Sequence, residues 1–482
     1  MLFNSYFFIL VFLPICIAGF YTVSRLEGPF SKWFLIGMSL WFYCSYDLRF
    51  PLVLTISIIL NYVTSRTFMT VQLHKKAILA VALAANILLL VYYKYMNFFI
   101  MNINELFGTQ LSSLKLLFPV GISYFTLQQI AYLVDAYKGE CTDIRFDEYI
   151  LYVIYFPHIV SGPILLQEEM IPQMRSRDWG CWNSDTFARG INQFVFGLAK
   201  KVLIADMLGP VVDYAYANHA ALTSAEVFLA IFTSSFQLYF DFSGYCDMAT
   251  GISHMLGISL PVNFDSPYKA LSFGEFWRRW HATLGRFFRK YLYIPLGGNR
   301  KGTAVLIANT LIVFILSGIW HGANFTFALW GLLHGLFVVL MRVFKQQYEK
   351  IPRVVRLVLT FLLVSLLWGL FRANSVGQYA EMLRRAFSFE ELTVSSDMAN
   401  LFHIPGSETA MVFIFGQITR YQTNLSLLLT VLVFSYIFCV STNNTYRRQF
   451  RLNVVTAMLL PFLFILSLLS FSNVESFIYI NF

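Results

Sequence analysis

The chain has 482 residues, of which 57% are hydrophobic, 18% aromatic and only 13% charged, with a formal net charge of +9. A charged share about half that of an ordinary domain excludes a conventional water-soluble enzyme. The Lys and Arg runs border apolar blocks, so the positive balance is not read as a nucleic-acid surface.

The apolar blocks are Leu2–Val23, Phe30–Tyr46, Phe50–Val63 and Ala77–Ile100, followed by Leu116–Val134 and Tyr149–Leu166. A mixed stretch at Thr186–Leu208 and a long one at Ala225–Leu260 come next. Thr303–Trp320, Phe325–Val343, Val354–Phe371, Leu425–Val440 and Leu452–Phe471 complete the set. A helix needs roughly 20 apolar residues to span hydrocarbon, so these blocks predict an all-α polytopic membrane protein with about 11–14 transmembrane or re-entrant helices. Leu116–Val134 and Ala225–Leu260 contain Asp, Gln and Gly and read as broken or re-entrant, which is tolerated only where protein or a water-filled cavity surrounds the backbone.

Leu2–Val23 lacks a basic n-region and is long enough to span, so no cleavable signal is expected. The six scattered cysteines form no CxxC or Cys/His cluster. They read as small buried hydrophobes, and no metal site is expected. No repeat and no second soluble domain interrupts residues 1–482, which read as one membrane domain.

Short basic loops stay in the cytoplasm. Arg25 and Lys32 precede and enter the second block, and Arg66, Lys75 and Lys76 follow the third. The alternate loops, Asp47–Arg49 and Met101–Lys115, are nearly neutral. The N-terminus is therefore expected outside. Arg278–Lys301, Arg342–Arg356 and Arg447–Arg451 are basic and expected inside, which puts the turn His321–Asn324 and the C-terminus outside. Arg372–Tyr421 is then an outer polar interval with a short amphipathic helix near Glu381–Arg385.

Polar groups inside a membrane need a reason. Histidine, with an unperturbed pKa of about 6.5, can move protons at neutral pH. His321 lies in Ser317-Gly-Ile-Trp-His-Gly-Ala-Asn324, at the junction of two apolar blocks. Beside Trp320 it reads equally as a sheltered general base or as an interfacial hydrogen-bonding residue. His281 lies in Ser272–Tyr291, whose Phe273, Trp277, Trp280 and Leu284 recur at helical spacing. That segment is predicted to be one amphipathic helix in the cytoplasmic interface, with Arg278, Arg286 and Arg289 off the stripe and His281 turned inward. Ser272 and Glu275 make a capping box for it. Taken alone, His281 reads better as a satisfied core histidine.

Asp241 and Asp247 sit on different faces of a continuous helix, so a paired-carboxylate site requires a break at Gly244. They could bind a cation, carry protons or hold a substrate; structurally, Asp241 could cap a helix after such a break. His158 lies in a Pro/Gly-kinked segment that could line a cavity. His334 is expected to pack between helices. His74, His219, His254 and His403 lie in no motif. Nucleophile elbows, P-loops, Rossmann fingerprints and His-Glu-x-x-His are absent from the sequence.

Seven segments stand in order: Phe118–Thr126, Phe156–Pro163, Tyr239–Tyr245, Pro261–Tyr268, Phe276–His281, Tyr291–Arg300 and Gly318–Asn324. Together they resemble the membrane-bound O-acyltransferase (MBOAT) family, in its bacterial alginate O-acetyltransferase-like branch, most densely over 118–335. The resemblance implies an all-helical fold whose irregular core encloses a tunnel or funnel. It also implies a catalytic His321, a supporting His281, and acyl transfer from a cytoplasmic thioester to a hydroxyl.

The group moved is acetyl in most of that branch, and the acceptor is an exported polysaccharide or a relay partner. D-alanyl transfer to teichoic acid and peptidoglycan O-acetylation are the family alternatives. No bound cofactor is expected; the co-substrate would be acetyl-CoA or an acyl carrier protein. Arg278, Arg279, Arg286 and Arg289 would meet its phosphates, unless they only attract anionic lipid. Trp320, Trp277 and Asp241 complete the candidate donor- or substrate-contacting set. His321 would take the hydroxyl proton, His281 would orient the donor or polarise its carbonyl, and Trp320 would exclude water. Expected partners are lipid, the donor or its carrier, an extracytoplasmic SGNH-type relay protein and a polysaccharide, with no nucleic acid. The expected location is the bacterial inner (plasma) membrane. A transporter, which usually shows repeated halves, and a non-enzymatic secretion scaffold are the readings of other classes.

Overall fold

A computed structural model describes the chain except residues 27, 71–72, 142, 404–418, 443–452, 472–476 and 479–482. Arg447–Arg451 and the middle of Arg372–Tyr421 lie outside the described residues. Among the described residues all regular elements are helices. The chain opens with α1 (Phe8–Val23), α2 (Phe30–Cys44), α3 (Phe50–Thr70) and α4 (Lys75–Phe107). The centre holds α5 (Ile122–Lys138), α6 (Phe146–Ile154), α7 (Phe156–Ile159) and α8 (Gln167–Arg175). After these come α9 (Ser184–Lys200), α10 (Asp206–Ala217) and α11 (Ser224–Met255). Two short helices, α12 (Phe273–Arg279) and α13 (Ala282–Phe288), lead to the hairpin α14 (Thr303–His321) and α15 (Phe325–Val343). The chain continues with α16 (Lys345–Glu349), α17 (Arg353–Arg372), α18 (Val376–Ala386), α19 (Ser396–Ala399), α20 (Arg420–Ser441) and α21 (Val454–Leu469).

Six of these, α3, α4, α14, α15, α17 and α20, are long and apolar enough to cross a membrane. Helices α1 and α21 are apolar but shorter. The polar-bearing segments of the centre are packed inside the bundle. Hydrophobic side chains such as Leu88, Val433 and Leu469 stand exposed on the outer helices, where lipid would cover them. The protein is a polytopic all-α membrane protein.

The two blocks expected to be irregular behave differently. Leu116–Val134 is broken: α5 starts only at Ile122, after Gly121 in the left-handed region (φ +77°). Any side chain there would strike the Ile159 carbonyl, 2.2 Å from an added Cβ. Ala225–Leu260, by contrast, contains an unbroken α11, opened by a capping box between Thr223 and Glu226. Its Gly244 marks no break. Gly244 faces Gly197 of α9, and Gly251 faces Gly190, with backbones so close that a Cβ on Gly197 would lie 2.6 Å from the Gly244 carbonyl oxygen. Small residues at matched spacing are how helices approach closely in lipid.

Ion pairs gather the basic segments at one end of the bundle. Lys32 and Arg175 hold Glu148 (2.9 and 2.7 Å), and Arg66 pairs with Asp143, whose carbonyl accepts from Arg175. Lys290 reaches Asp135 (3.2 Å) and Glu168 (3.5 Å), and Arg286 pairs with Glu169. Helix α14 starts from this end and carries His321 about 27 Å away along its axis. Near Glu381–Arg385 the structure has the amphipathic α18, with Tyr379, Met382 and Ala386 buried.

Candidate active site

His321 is the last residue of α14, which stops because Gly322 is extended and Asn324 caps α15 by accepting from the Thr326 amide (3.1 Å). The hairpin closes tightly at Gly318 and Gly331, where an added Cβ would lie 2.1 Å from the Phe327 oxygen and 2.3 Å from the Phe314 oxygen. This packing buries the His321 side chain among aromatic rings. Trp320, Trp330 and Phe371 surround it with ring centroids 4.9, 5.3 and 5.4 Å away.

His281 departs from its expected setting. Ser272–Tyr291 is not one interfacial helix: α12 ends at Arg279, and α13 begins after His281, which is itself left-handed (φ +45°, ψ +46°). Ser272 does cap α12, accepting from the Glu275 amide. The break turns the His281 ring into the protein, 1% exposed. A non-glycine residue in this region carries a conformational cost and is a pointer to function.

Asn263, from the segment after α11, holds the break in place. Its Oδ1 accepts from His281 Nδ1 (3.0 Å) and Thr283 Oγ1 (2.8 Å), while its carbonyl accepts from the Ala282 amide (2.9 Å). An amide oxygen only accepts, so a neutral His281 carries its proton on Nδ1 and leaves Nε2 as a lone pair. That Nε2 is buried and has no hydrogen-bond partner among the described residues.

The two imidazoles come together at 6.3 Å between ring centroids. A cavity of about 380 Å³ runs from the basic end to the first of them, His281. It is lined by Trp277, Arg278, His281, Arg286, Arg289 and Ser317, the last one turn before His321. Arg278 and Arg289 are exposed and make no ion pair among the described residues. Arg286 lines the same cavity but is paired with Glu169. Arg279 does not line it: its guanidinium is held by Glu275 (2.8 Å) and the Asp265 carbonyl (3.0 Å), a structural role.

Asp241 also lies away from the cavity. It is paired with the buried Lys201 (2.7 Å) and accepts from the Ile478 amide (3.0 Å). Asp247 takes Lys200 (2.6 Å), so the two carboxylates serve successive lysines, Lys200 at the end of α9 and Lys201 just after it, and neither caps a helix break. An intramembrane carboxylate must be paired, and the C-terminal end of α9 and the turn after it supply the partners. Trp277 lines the cavity and donates to His334 Nδ1 (3.1 Å), which gives His334 a role beyond packing. His158 bonds the Tyr152 carbonyl (3.0 Å) and is structural.

Sequence patterns single out none of Asn263, Lys94 and Tyr95. Lys94 Nζ donates to the carbonyls of Trp320 (2.6 Å) and His321 (2.9 Å), and Tyr95 OH to that of Ile319 (2.5 Å). The one available signal was a charge, Lys94, in the middle of an apolar helix.

Residues 74–371 match the membrane-bound O-acyltransferase family, MBOAT. The chain is 38% identical over 417 residues to a peptidoglycan O-acetyltransferase of Helicobacter pylori, covering 80% of this chain and 79% of that protein. It is 35% identical over 414 residues to the probable alginate O-acetylase AlgI of Pseudomonas aeruginosa (83% and 78% covered). A teichoic acid D-alanyltransferase of Bacillus subtilis is 26% identical over 246 residues (48% and 60% covered). By the family match over residues 74–371 and these relatives, the chain belongs to the membrane-bound O-acyltransferase family and is a membrane O-acyltransferase.

Proposed function

We propose that this acyltransferase moves an acetyl group from a thioester, presented at the Arg278–Arg289 face, to a hydroxyl delivered from the opposite side for an extracytoplasmic polysaccharide. The observation that carries the reading is the cavity joining the exposed Arg278 and Arg289 to His281 and Ser317, one turn from His321. The arginines offer charge-assisted hydrogen bonds to phosphates of coenzyme A or of a phosphopantetheine-bearing carrier. The positive-inside pattern supports a cytoplasmic position for that face and an outside N-terminus, and the bacterial relatives support a place in a bacterial inner membrane. Acetyl is favoured over D-alanyl because the O-acetylating relatives align over most of the chain and the D-alanylating one over 48%.

His321 accepts the proton as the acceptor oxygen attacks the thioester carbon. The new C–O bond forms, the C–S bond breaks, and the thiolate leaves through the cavity. General-base help of this kind is worth typically 10²–10⁴-fold. The Nδ1–H tautomer of His281 favours one of its two expected roles. A bare Nε2 cannot donate to a carbonyl, but it can orient a donor arm by accepting from an amide N–H. Trp320, Trp330 and Phe371 keep water from the thioester.

His321 is only 2% exposed, which favours a slender acceptor group over a bulky polymer chain. A slender hydroxyl on an SGNH-type relay protein would enter and carry the group outward to alginate, peptidoglycan or a related glycan. Vesicles of defined sidedness, given radiolabelled acetyl-CoA or acetylated carrier protein, test the direction. Label is expected to cross only when the donor is at the Arg278 face; transfer from a donor at the other face would refute the reading.

A further inference from the structure

Helix α4 is 33 residues long, and only 6% of its most apolar window is buried. Between Lys76 and Glu105 it carries one charge, Lys94. A cation at that depth is costly and needs a partner. Its Nζ finds the C-terminal carbonyls of α14, Trp320 O at 2.6 Å and His321 O at 2.9 Å, with Ser123 Oγ at 3.5 Å. The neighbouring Tyr95 OH takes Ile319 O at 2.5 Å. The ammonium also lies 5.8 Å from the Trp320 ring, whose indole N–H donates to the Ser123 carbonyl (3.4 Å).

The last carbonyls of any helix lack intrahelical donors. A cation there also meets the negative end of the helix dipole. In α14 three of the last four carbonyls, those of Ile319, Trp320 and His321, accept from two adjacent side chains of α4. The His321 peptide is thus fixed from outside its own hairpin.

We propose that Lys94 and Tyr95 form a clamp that positions His321, so that α4 acts as the positioning element for the base. This rests on reading His321 as the base. The clamp touches backbone, not reactants, so Lys94 is a positioning residue. Its loss would let the imidazole drift, and a misplacement of about 1 Å costs on the order of 10²-fold in rate.

The test compares Lys94→Met, Lys94→Arg, Tyr95→Phe and His321→Ala, each purified in proteoliposomes. It reads acetyl-CoA turnover and amide hydrogen exchange over residues 318–324. Lys94→Met is expected to lower kcat by about 10- to 100-fold with KM for acetyl-CoA unchanged, and to raise exchange in that segment alone. Lys94→Arg restores most of kcat, and Tyr95→Phe costs several-fold. Wild-type kcat in Lys94→Met, or a loss that Lys94→Arg does not relieve, overturns the clamp. If Lys94→Met does not accumulate, Tyr95→Phe decides: unchanged kcat and exchange overturn it. An active His321→Ala would instead overturn the reading of the base, and the exchange result would still judge the clamp.

Discussion

The His281 and His321 rings lie 6.3 Å apart, although one sits at a break between two short helices and the other at the end of a membrane-length helix. The pair forms because His281 is left-handed and turns inward, while α14 carries His321 to its last position. Both rings are buried by aromatic neighbours. Phe242 packs edge-on against His281 at 4.9 Å, and Tyr124 stacks over it at 6.4 Å.

Asn263 is expected to matter nearly as much as the histidine it holds. Asn263→Ala removes the acceptor for His281 Nδ1 and Thr283 Oγ1. A loss of roughly 10- to 100-fold in kcat/KM is predicted in steady-state acetyl transfer, the scale expected for small misplacements. Asn263→Asp, which keeps the acceptor oxygen, is predicted to retain more activity than Asn263→Ala.

The arginines separate into two classes. Arg278→Gln and Arg289→Gln are predicted to raise KM for acetyl-CoA by about tenfold each with little change in kcat, as charge-assisted hydrogen bonds to phosphate are lost. The effect shrinks as salt rises. Arg279→Gln is predicted to lower thermal stability instead, because it breaks the contacts to Glu275 and Asp265. Equal KM changes at all three positions would contradict this division.

The hairpin packing gives a stability test. Gly318→Ala forces a Cβ against the Phe327 carbonyl and is predicted to cost about 1–3 kcal/mol and to displace His321. Gly37→Ala meets no atom within 4 Å and is predicted to be neutral. Detergent melting curves of the two variants make the comparison.

Acid is predicted to loosen the basic end first. Burial alone would raise the Glu148 carboxyl, but hydrogen bonds from Arg175 and Lys32 outweigh it and hold the group down at about 2. A depressed carboxylate stabilises the fold fully above its ordinary value near 4.5, and that contribution is lost as pH falls toward 2. Glu148→Gln is predicted to be less stable at neutral pH and to show a flatter stability profile between those values.

Much of this was legible in the chain. The long apolar runs, the basic end, and Trp320 with His321 at a hairpin tip follow from composition and spacing. The break at His281 did not, because the apolar stripe continues through it and a left-handed φ leaves no trace in periodicity. Asp241 looked like a site residue because its partner Lys201 lies on a different helix. Lys94 passed unnoticed within an apolar run, and Asn263 has meaning only once α12 and α13 are seen to part. Pairings across helices are set by packing, which a one-dimensional pattern does not record.

The most direct measurement is acetyl transfer by His321→Ala, with expression, membrane insertion and gel-filtration profile matched to wild type. The protein is predicted to be intact, with transfer down by on the order of 10²–10⁴-fold. A well-expressed His321→Ala variant that transfers at the wild-type rate would contradict the account.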